Sequence, residues 1–152
     1  MTSSLVLFSG GQDSATCLSW ALQKFDEVAT VGFDYGQRHA VELKCRDKLL
    51  AAMHPGGSDT VLNLPIINEL SALPLTRNRE IELLENALPA TFVPGRNIMF
   101  LTTAALLAYR RGITNLVIGC AEADYNGYPD CQDKFVQSMT KTLSAGMGTT
   151  TA

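Results

Sequence analysis

No Cys-x-x-Cys pair occurs in this sequence, and its four cysteines (Cys17, Cys45, Cys120 and Cys131) lie far apart. That spacing carries neither a zinc-ribbon nor a redox-dithiol signature, so reduced thiols are the expected state. Nor is there a run of lysines and arginines. The 12 Lys and Arg are outnumbered by 15 Asp and Glu, for a net charge of −3. This balance argues against a generic polyanion-binding face. The longest apolar stretch, around residues 98–108, carries two threonines and falls short of the roughly 20 residues that cross a bilayer. Met1 leads into a strand-like run with no charged-then-apolar leader before it, and the expected location is cytoplasmic.

What is present begins near the start. In Ser4-Leu5-Val6-Leu7-Phe8-Ser9-Gly10-Gly11-Gln12-Asp13-Ser14 a short apolar run ends in a polar double-glycine turn, and a helical pattern follows at once. Strand, glycine loop and helix together make a phosphate site. Glycines let backbone N–H groups approach an anion. The helix start adds unpaired N–H groups and a partial positive charge. Ser9 and Ser14 can add hydroxyl donors. No Gly-Lys-Ser/Thr follows, so this is not a Walker A loop, and the Gly-x-Gly-x-x-Gly of dinucleotide folds is absent.

Further along, patterning predicts strands at residues 4–8, 27–35, 59–64 and 115–119, the last fully buried in character. Helices are expected at 13–25, capped by Asp13 or Ser14, and at 38–53. A third spans 96–111, with Ile98, Leu101, Ala105 and Ala108 on one face and Gly112 as its stop. A fourth spans 134–145, with Phe135, Val136, Met139 and Leu143 inward, stopped by Gly146. Residues 65–73 can hold a helical turn, and 74–94 are the least regular. Strands alternating with helices imply one α/β domain, a parallel sheet with helices on both faces. Ligands of such sheets sit outside the carboxyl ends of the strands. The domain is expected over residues 1–145, with 146–152 as a disordered tail.

The Ser-Gly-Gly-x-Asp-Ser loop resembles the pyrophosphate loop of the N-type ATP pyrophosphatases, whose adenine nucleotide alpha hydrolase-like (PP-loop) fold the resemblance implies. Four more segments sharpen it: Asp34-Tyr35-Gly36-Gln37-Arg38-His39, Thr76-Arg77-Asn78, Phe92-Val93-Pro94-Gly95-Arg96-Asn97 and Gly127-Tyr128-Pro129-Asp130-Cys131. Together they resemble the 7-cyano-7-deazaguanine synthase family of queuosine biosynthesis, over about residues 4–148. The resemblance implies a carbon–nitrogen ligase. With ATP and ammonia it would turn 7-carboxy-7-deazaguanine into the 7-nitrile through adenylated intermediates, releasing AMP and pyrophosphate.

Residue roles follow from the same resemblance. Phe8, Ser9, Gly10, Gly11, Gln12, Asp13 and Ser14 would hold ATP, the contact extending through Ala15, Thr16, Cys17 and Leu18. Asp13, Ser14 and Arg96 are the catalytic candidates. Asp13 would help position Mg²⁺, a hard cation that favours carboxylate and phosphate oxygens, and capping the helix is compatible with that role. Arg96 would pair the triphosphate or the substrate carboxylate. Arg38, His39, Glu122, Asp124, Tyr128 and Asp130 are the substrate-side candidates. A carboxylate there would accept the two adjacent N–H groups of the guanine-like edge, and Tyr125 or Tyr128 could stack on the base.

Family members normally continue into a segment whose four cysteines hold a structural zinc; none of the cysteines here matches those ligands, and no resident metal site is assigned. A chain ending at Ala152 is expected to be a folded, marginal ATP binder, prone to self-association, without zinc and with little nitrile synthesis alone. The expected partners are small molecules, with no nucleic acid and no membrane, and a homodimer is one form the association could take. Two other readings stay open: a sulfur-transferring ATP pyrophosphatase acting on tRNA, and a non-catalytic ATP-binding fragment. The first would call for a Cys-x-x-Cys pair or a basic face, and the sequence has neither.

Overall fold

Strand β1 (Ser3–Leu7) is the hinge of the architecture: it pairs in parallel with β2 (Glu27–Asp34) on one side and with β4 (Asn115–Val117) on the other. The protein is described here by a computed structural model, over residues 1–36, 40–72, 93–120 and 128–149. Strand β3 (Ser58–Asn63) pairs in parallel with β2, giving the order β3-β2-β1-β4. The chain therefore moves outward from β1 to β3, then returns to the far side of β1. The order reverses between β1 and β4, and a parallel sheet opens a ligand crevice at such a reversal.

Alternation along β1 divides the core between the two sheet faces. Leu5 and Leu7 pack with Ala29 and Val31 against Leu101, Ala104, Ala105 and Ala108 of helix α4 (Arg96–Arg111) and Leu143 of α5 (Asp133–Met147). Val6 and Phe8 pack on the opposite face against Leu18 and Ala21 of α1 (Gln12–Lys24), with Leu50 and Met53 of α2 (Ala40–Met53) alongside. Helices thus cover both faces. A shorter helix, α3 (Pro65–Ala72), follows β3; proline suits its first position, where no intrahelical N–H bond is lost. Arg111, in the last turn of α4, donates to the hydroxyls of Ser58 (3.3 Å) and Thr60 (2.7 Å) on β3.

Several sequence expectations need correction. Helix α1 is capped by Gly11, with no side-chain cap, so neither Asp13 nor Ser14 takes that place. Strand β4 is three residues long and half-buried rather than fully buried; among the described residues β1 is its one neighbour in the sheet, which leaves it at an edge. Ile98 is 46% exposed. It lies in the first turn of α4, whose Arg96, Asn97 and Phe100 face a cavity instead of the core. Gly146 does not stop α5. The helix runs through it to Met147 and ends at Gly148, whose φ of +64° supplies the left-handed cap. The least regular stretch, residues 74–94, lies outside the described residues except for its last two.

Candidate active site

The carboxyl ends of β1 and β2 and the chain beyond β4 converge on a cavity of about 390 Å³, a size suited to a small-molecule ligand. From β1 come Phe8, Ser9, Gly11, Gln12, Asp13 and Ser14; from β2, Phe33 and Tyr35; beyond β4, Ile118, Gly119 and Cys120. Arg96, Asn97 and Phe100 of α4 close the opposite side with Cys131.

The loop is held by its own serines. Ser14, buried at the start of α1, donates its hydroxyl to the Gly11 carbonyl (2.9 Å). It accepts from the Gly10 N–H (3.2 Å) and the Ser9 hydroxyl (3.2 Å), while Gly11 N–H donates to Ser9 Oγ (3.3 Å). An anion entering here would exchange these internal bonds for its own oxygens. The first intrahelical bond of α1 runs from Ala15 N–H to Gly11 O (3.0 Å). The N–H groups of Gln12, Asp13 and Ser14 precede it and have no partner within the helix. Gly119 lets the chain beyond β4 lie against this turn, for a Cβ there would sit 3.0 Å from the Asp13 carbonyl carbon. The exposed Asp13 carboxylate on the cavity wall is a donor that fits a hard divalent cation.

Beneath the loop lies Arg46 of α2, its side chain only 1% exposed. Its Nε donates to the Phe8 carbonyl (2.9 Å), and its two terminal nitrogens grip Asp59 of β3, Nη1 at 2.9 Å. Thr30 also donates to Asp59 (2.6 Å). Burial alone would raise the Asp59 carboxyl. Hydrogen bonds from Arg46 and Thr30, the Arg46 charge and the Thr60 amide outweigh that and bring it below its ordinary value.

The aromatic wall is ordered. Phe33 and Phe100 stack with centroids 4.5 Å apart and planes 5° from parallel, and Tyr35 leans on Phe100 at 5.6 Å. Across the cavity, the Asn97 amide donates to the Asp130 carbonyl (3.2 Å) and reaches Cys131 Sγ (3.8 Å). Burial pushes the Cys120 thiol up to about 12, with Cys131, Asp130 and Cys17 adding to it. Burial and Asp13 raise Cys17 as well. Both thiols stay protonated at neutral pH, which makes them poor nucleophiles.

The sequence candidates divide accordingly. Phe8, Ser9, Gly11, Gln12, Asp13, Ser14 and Arg96 line the cavity, and Gly10 forms the turn behind it. Ala15, Thr16, Cys17 and Leu18 do not line it: Leu18 is fully buried in the core beside Ala15 and Cys17, and Thr16 turns back to the Gln12 carbonyl (3.0 Å). Contact with a ligand stops at the first turn because the helix then enters the sheet interface. Asp130 is 8% exposed within a 3-10 turn (Pro129–Cys131), and neither it nor Tyr128 is part of the wall; Cys131 is. Arg38, His39, Glu122, Asp124 and Tyr125 lie outside the described residues. Among the described residues, no group of three or more His, Cys, Asp or Glu side chains is arranged to hold a metal ion, zinc included.

Sequence reasoning missed Arg46, Asn97 and the Phe33–Tyr35–Phe100 wall. Asn97 and Tyr35 stood inside quoted motifs. Phe33 fell within the expected strand 27–35, and Phe100 and Arg46 within expected helices, none of them singled out by local pattern. Only tertiary structure turns these three toward the site.

A parallel sheet covered on both faces, with a double-glycine loop at its strand-order reversal, is the PP-loop α/β fold. Two solved structures share it at a level that speaks for the fold alone. One is a predicted subunit of tRNA methyltransferase from Methanocaldococcus jannaschii (TM-score 0.57, 18% identity, 98% of this chain and 65% of that one). The other is a 4-thiouridine synthetase in an RNA complex with bound ATP (TM-score 0.52, 15% identity, 98% and 41%). The family is narrower. Residues 3–152 match the model described as "Queuosine biosynthesis protein QueC", and the chain belongs to that family. It is 58% identical over 151 residues to a 7-cyano-7-deazaguanine synthase of Nitrobacter winogradskyi, covering 94% of this chain and 63% of that protein. A 7-cyano-7-deazaguanine synthase of Nitratidesulfovibrio vulgaris is 54% identical, with 94% and 62% covered. The chain spans a little under two thirds of the length of these curated relatives. Among the described residues no helix is long and apolar enough to cross a membrane.

Proposed function

We propose that this chain supplies the ATP-activating site for conversion of 7-carboxy-7-deazaguanine and ammonia to 7-cyano-7-deazaguanine. The observation that carries the reading is the meeting, in one cavity, of the Ser9–Ser14 loop at a helix start, Arg96 opposite it and an aromatic wall between, in a chain of this family. A carboxylate is a poor electrophile until its oxygen leaves as AMP. In the first activation the substrate carboxylate attacks the α-phosphorus of ATP and pyrophosphate departs. Ammonia then displaces AMP, losing a proton, to give the amide. Adenylation of the amide oxygen by another ATP releases a second pyrophosphate, and loss of AMP with the remaining N–H protons leaves the nitrile.

The chain's part in this is positioning and charge stabilisation. The N–H groups of Gln12, Asp13 and Ser14, with the Ser9 hydroxyl, receive the departing pyrophosphate. Asp13 holds Mg²⁺, which offsets phosphate charge when bound. Arg96 pairs with the triphosphate or the substrate carboxylate, and among the described residues it has no acidic partner within salt-bridge distance. Phe33, Tyr35 and Phe100 offer a flat face to a purine-like ring. Arg38, His39, Glu122, Asp124, Tyr128 and Asp130 are assigned to the substrate side on the sequence motifs. The reading includes a cytoplasmic location and small-molecule partners, without nucleic acid or membrane, and with self-association as a homodimer.

ATP labelled at the α-phosphate tests the chemistry. With substrate and ammonium present, label is expected in AMP; label in ADP, or no binding of Mg-ATP at all, overturns the proposal. Gly11→Val tests the location. A Cβ at Gly11 meets nothing closer than Ser9 Oγ at 3.5 Å, so the variant should fold while its side chain fills the phosphate path. Unchanged nucleotide affinity would place ATP elsewhere.

A further inference from the structure

Arg46 makes contacts that a residue serving only the core would not need. It is buried, always charged, and held by Asp59 from β3, with Asp47 3.6 Å away. Buried ion pairs of this kind contribute little net stability, since desolvation cancels most of the attraction. An apolar side chain would fill the same volume. What the guanidinium alone can do is grip a carboxylate with two nitrogens while its Nε donates sideways to a carbonyl. That carbonyl belongs to Phe8, one residue before the Ser9–Ser14 loop and one past the end of β1.

Two glycines form the slot. A Cβ at Gly32 would sit 2.5 Å from Arg46 Nε, inside the space of the guanidinium. A Cβ at Gly10, where φ is +87°, would sit 2.8 Å from Arg46 Cα. The loop thus rests on the backbone of Arg46, and the peptide entering it hangs from the Arg46 side chain. Thr30 and Asp59 connect that side chain to β2 and β3. Arg46 also borders the cavity, but its Nε and both terminal nitrogens are already engaged by Phe8 and Asp59, so its part is to hold the loop rather than to bind the anion.

We propose that Arg46, braced by Asp59, is a positioning residue that sets the orientation of the phosphate loop. The proposal rests on the reading of residues 9–14 as that loop and names the device that fixes it. Its signature is selective. Loosening the brace should weaken capture of a phosphate anion and leave the nucleoside part of the cavity untouched. A purely structural role would weaken both together, or neither.

The test is titration of inorganic pyrophosphate with Mg²⁺, and separately of adenosine, into the wild-type chain, Arg46→Lys and Asp59→Asn, with folding checked by circular dichroism. Arg46→Lys keeps the charge and removes the Nε donor and the two-pronged grip. Pyrophosphate affinity is expected to fall about tenfold to a hundredfold, the scale on which a misplaced supporting group costs binding or rate, while adenosine affinity stays within about twofold. Should Arg46→Lys fail to fold, Asp59→Asn decides. It leaves Arg46 in place with a weaker brace, and a severalfold loss confined to pyrophosphate is expected. Equal losses for both ligands, or no loss for either, overturn the positioning role. A wild-type chain that binds adenosine but not pyrophosphate overturns the loop reading itself, and this proposal with it.

Discussion

The two sides of the cavity are built by different means. On the loop side, Ser9 and Ser14 close the turn, Gly10 packs on α2, and the Arg46–Asp59–Thr30 set ties the entering peptide to two strands. On the other side, α4 meets the Pro129–Cys131 turn through the Asn97 amide, at 3.2 and 3.8 Å, and Arg96 stands without a carboxylate partner among the described residues. Fixed dipoles suit a phosphate whose charge shifts during reaction, because they need not reorganise at that moment. Adjustable contacts suit a side past which a flat ring enters and leaves. Under the proposed function, the contrast divides the cavity into a preformed anion end and a responsive end.

The sharpest way to break that contrast is at Gly10. A left-handed φ and a Cβ 2.8 Å from Arg46 Cα predict that Gly10→Ala lowers stability by about 2–4 kcal/mol, read as a shift in the urea midpoint. Gly11→Ala, with φ of −76° and open space around it, should stay within about 0.5 kcal/mol of wild type. If both variants behave alike, the loop is not clamped to α2.

On the responsive side the effect should fall on binding rather than folding. Arg96→Met is expected to cost about 1.5–3 kcal/mol of nucleotide affinity by calorimetric titration, the range for hydrogen bonds to charged groups. Its melting temperature should hold or rise slightly, since a cation in the first turn opposes the helix dipole. A large drop in melting temperature would make Arg96 part of the scaffold and erase the contrast.

A smaller effect separates the two sides by pH. The folded state holds Asp59 below its ordinary value of 3.8, so the unfolded chain takes up this proton first as pH falls. The stabilisation is complete above about pH 4 and is lost as pH drops through the folded value. Asp59→Asn should therefore flatten the acid limb of a stability–pH curve, and an unchanged limb would mean that the brace contributes nothing. Cys120 runs the other way. Its thiol is raised from 9.0 to about 12, so stability should fade as pH climbs between those values, and at neutral pH iodoacetamide should label the exposed Cys45 well before Cys120. Equal labelling rates would place Cys120 outside the protected wall.

Local signals were legible in the sequence where local physics decides. The strand–glycine turn–helix unit, the double-sided sheet and the full extent of α4 follow from glycine spacing, hydrophobic period and the Gly112 stop, each set by neighbours in the chain. Ends set by distant contacts were not legible. Strand β4 stops at Val117 although the apolar pattern runs on, with one neighbour strand among the described residues, and α5 passes through Gly146 to a left-handed cap at Gly148. Arg46 was invisible for the same reason. Its partners lie 38 positions back and 13 ahead, and a charge in mid-helix gives no local sign that it will be buried.

Helix α4 carries Arg96 at one end and Arg111 at the other, the latter fastened to the hydroxyls of Ser58 and Thr60 on β3, the outer strand among the described residues. Mechanically this is a lever with its fulcrum at the sheet's far edge. Its 16 residues give an arm of about 24 Å. A tilt of about 5° about the fastened end moves the Arg96 end by about 2 Å, enough to make or break a hydrogen bond. Under the proposed function, small readjustments of the aliphatic contacts along α4 would be magnified where the guanidinium meets its ligand.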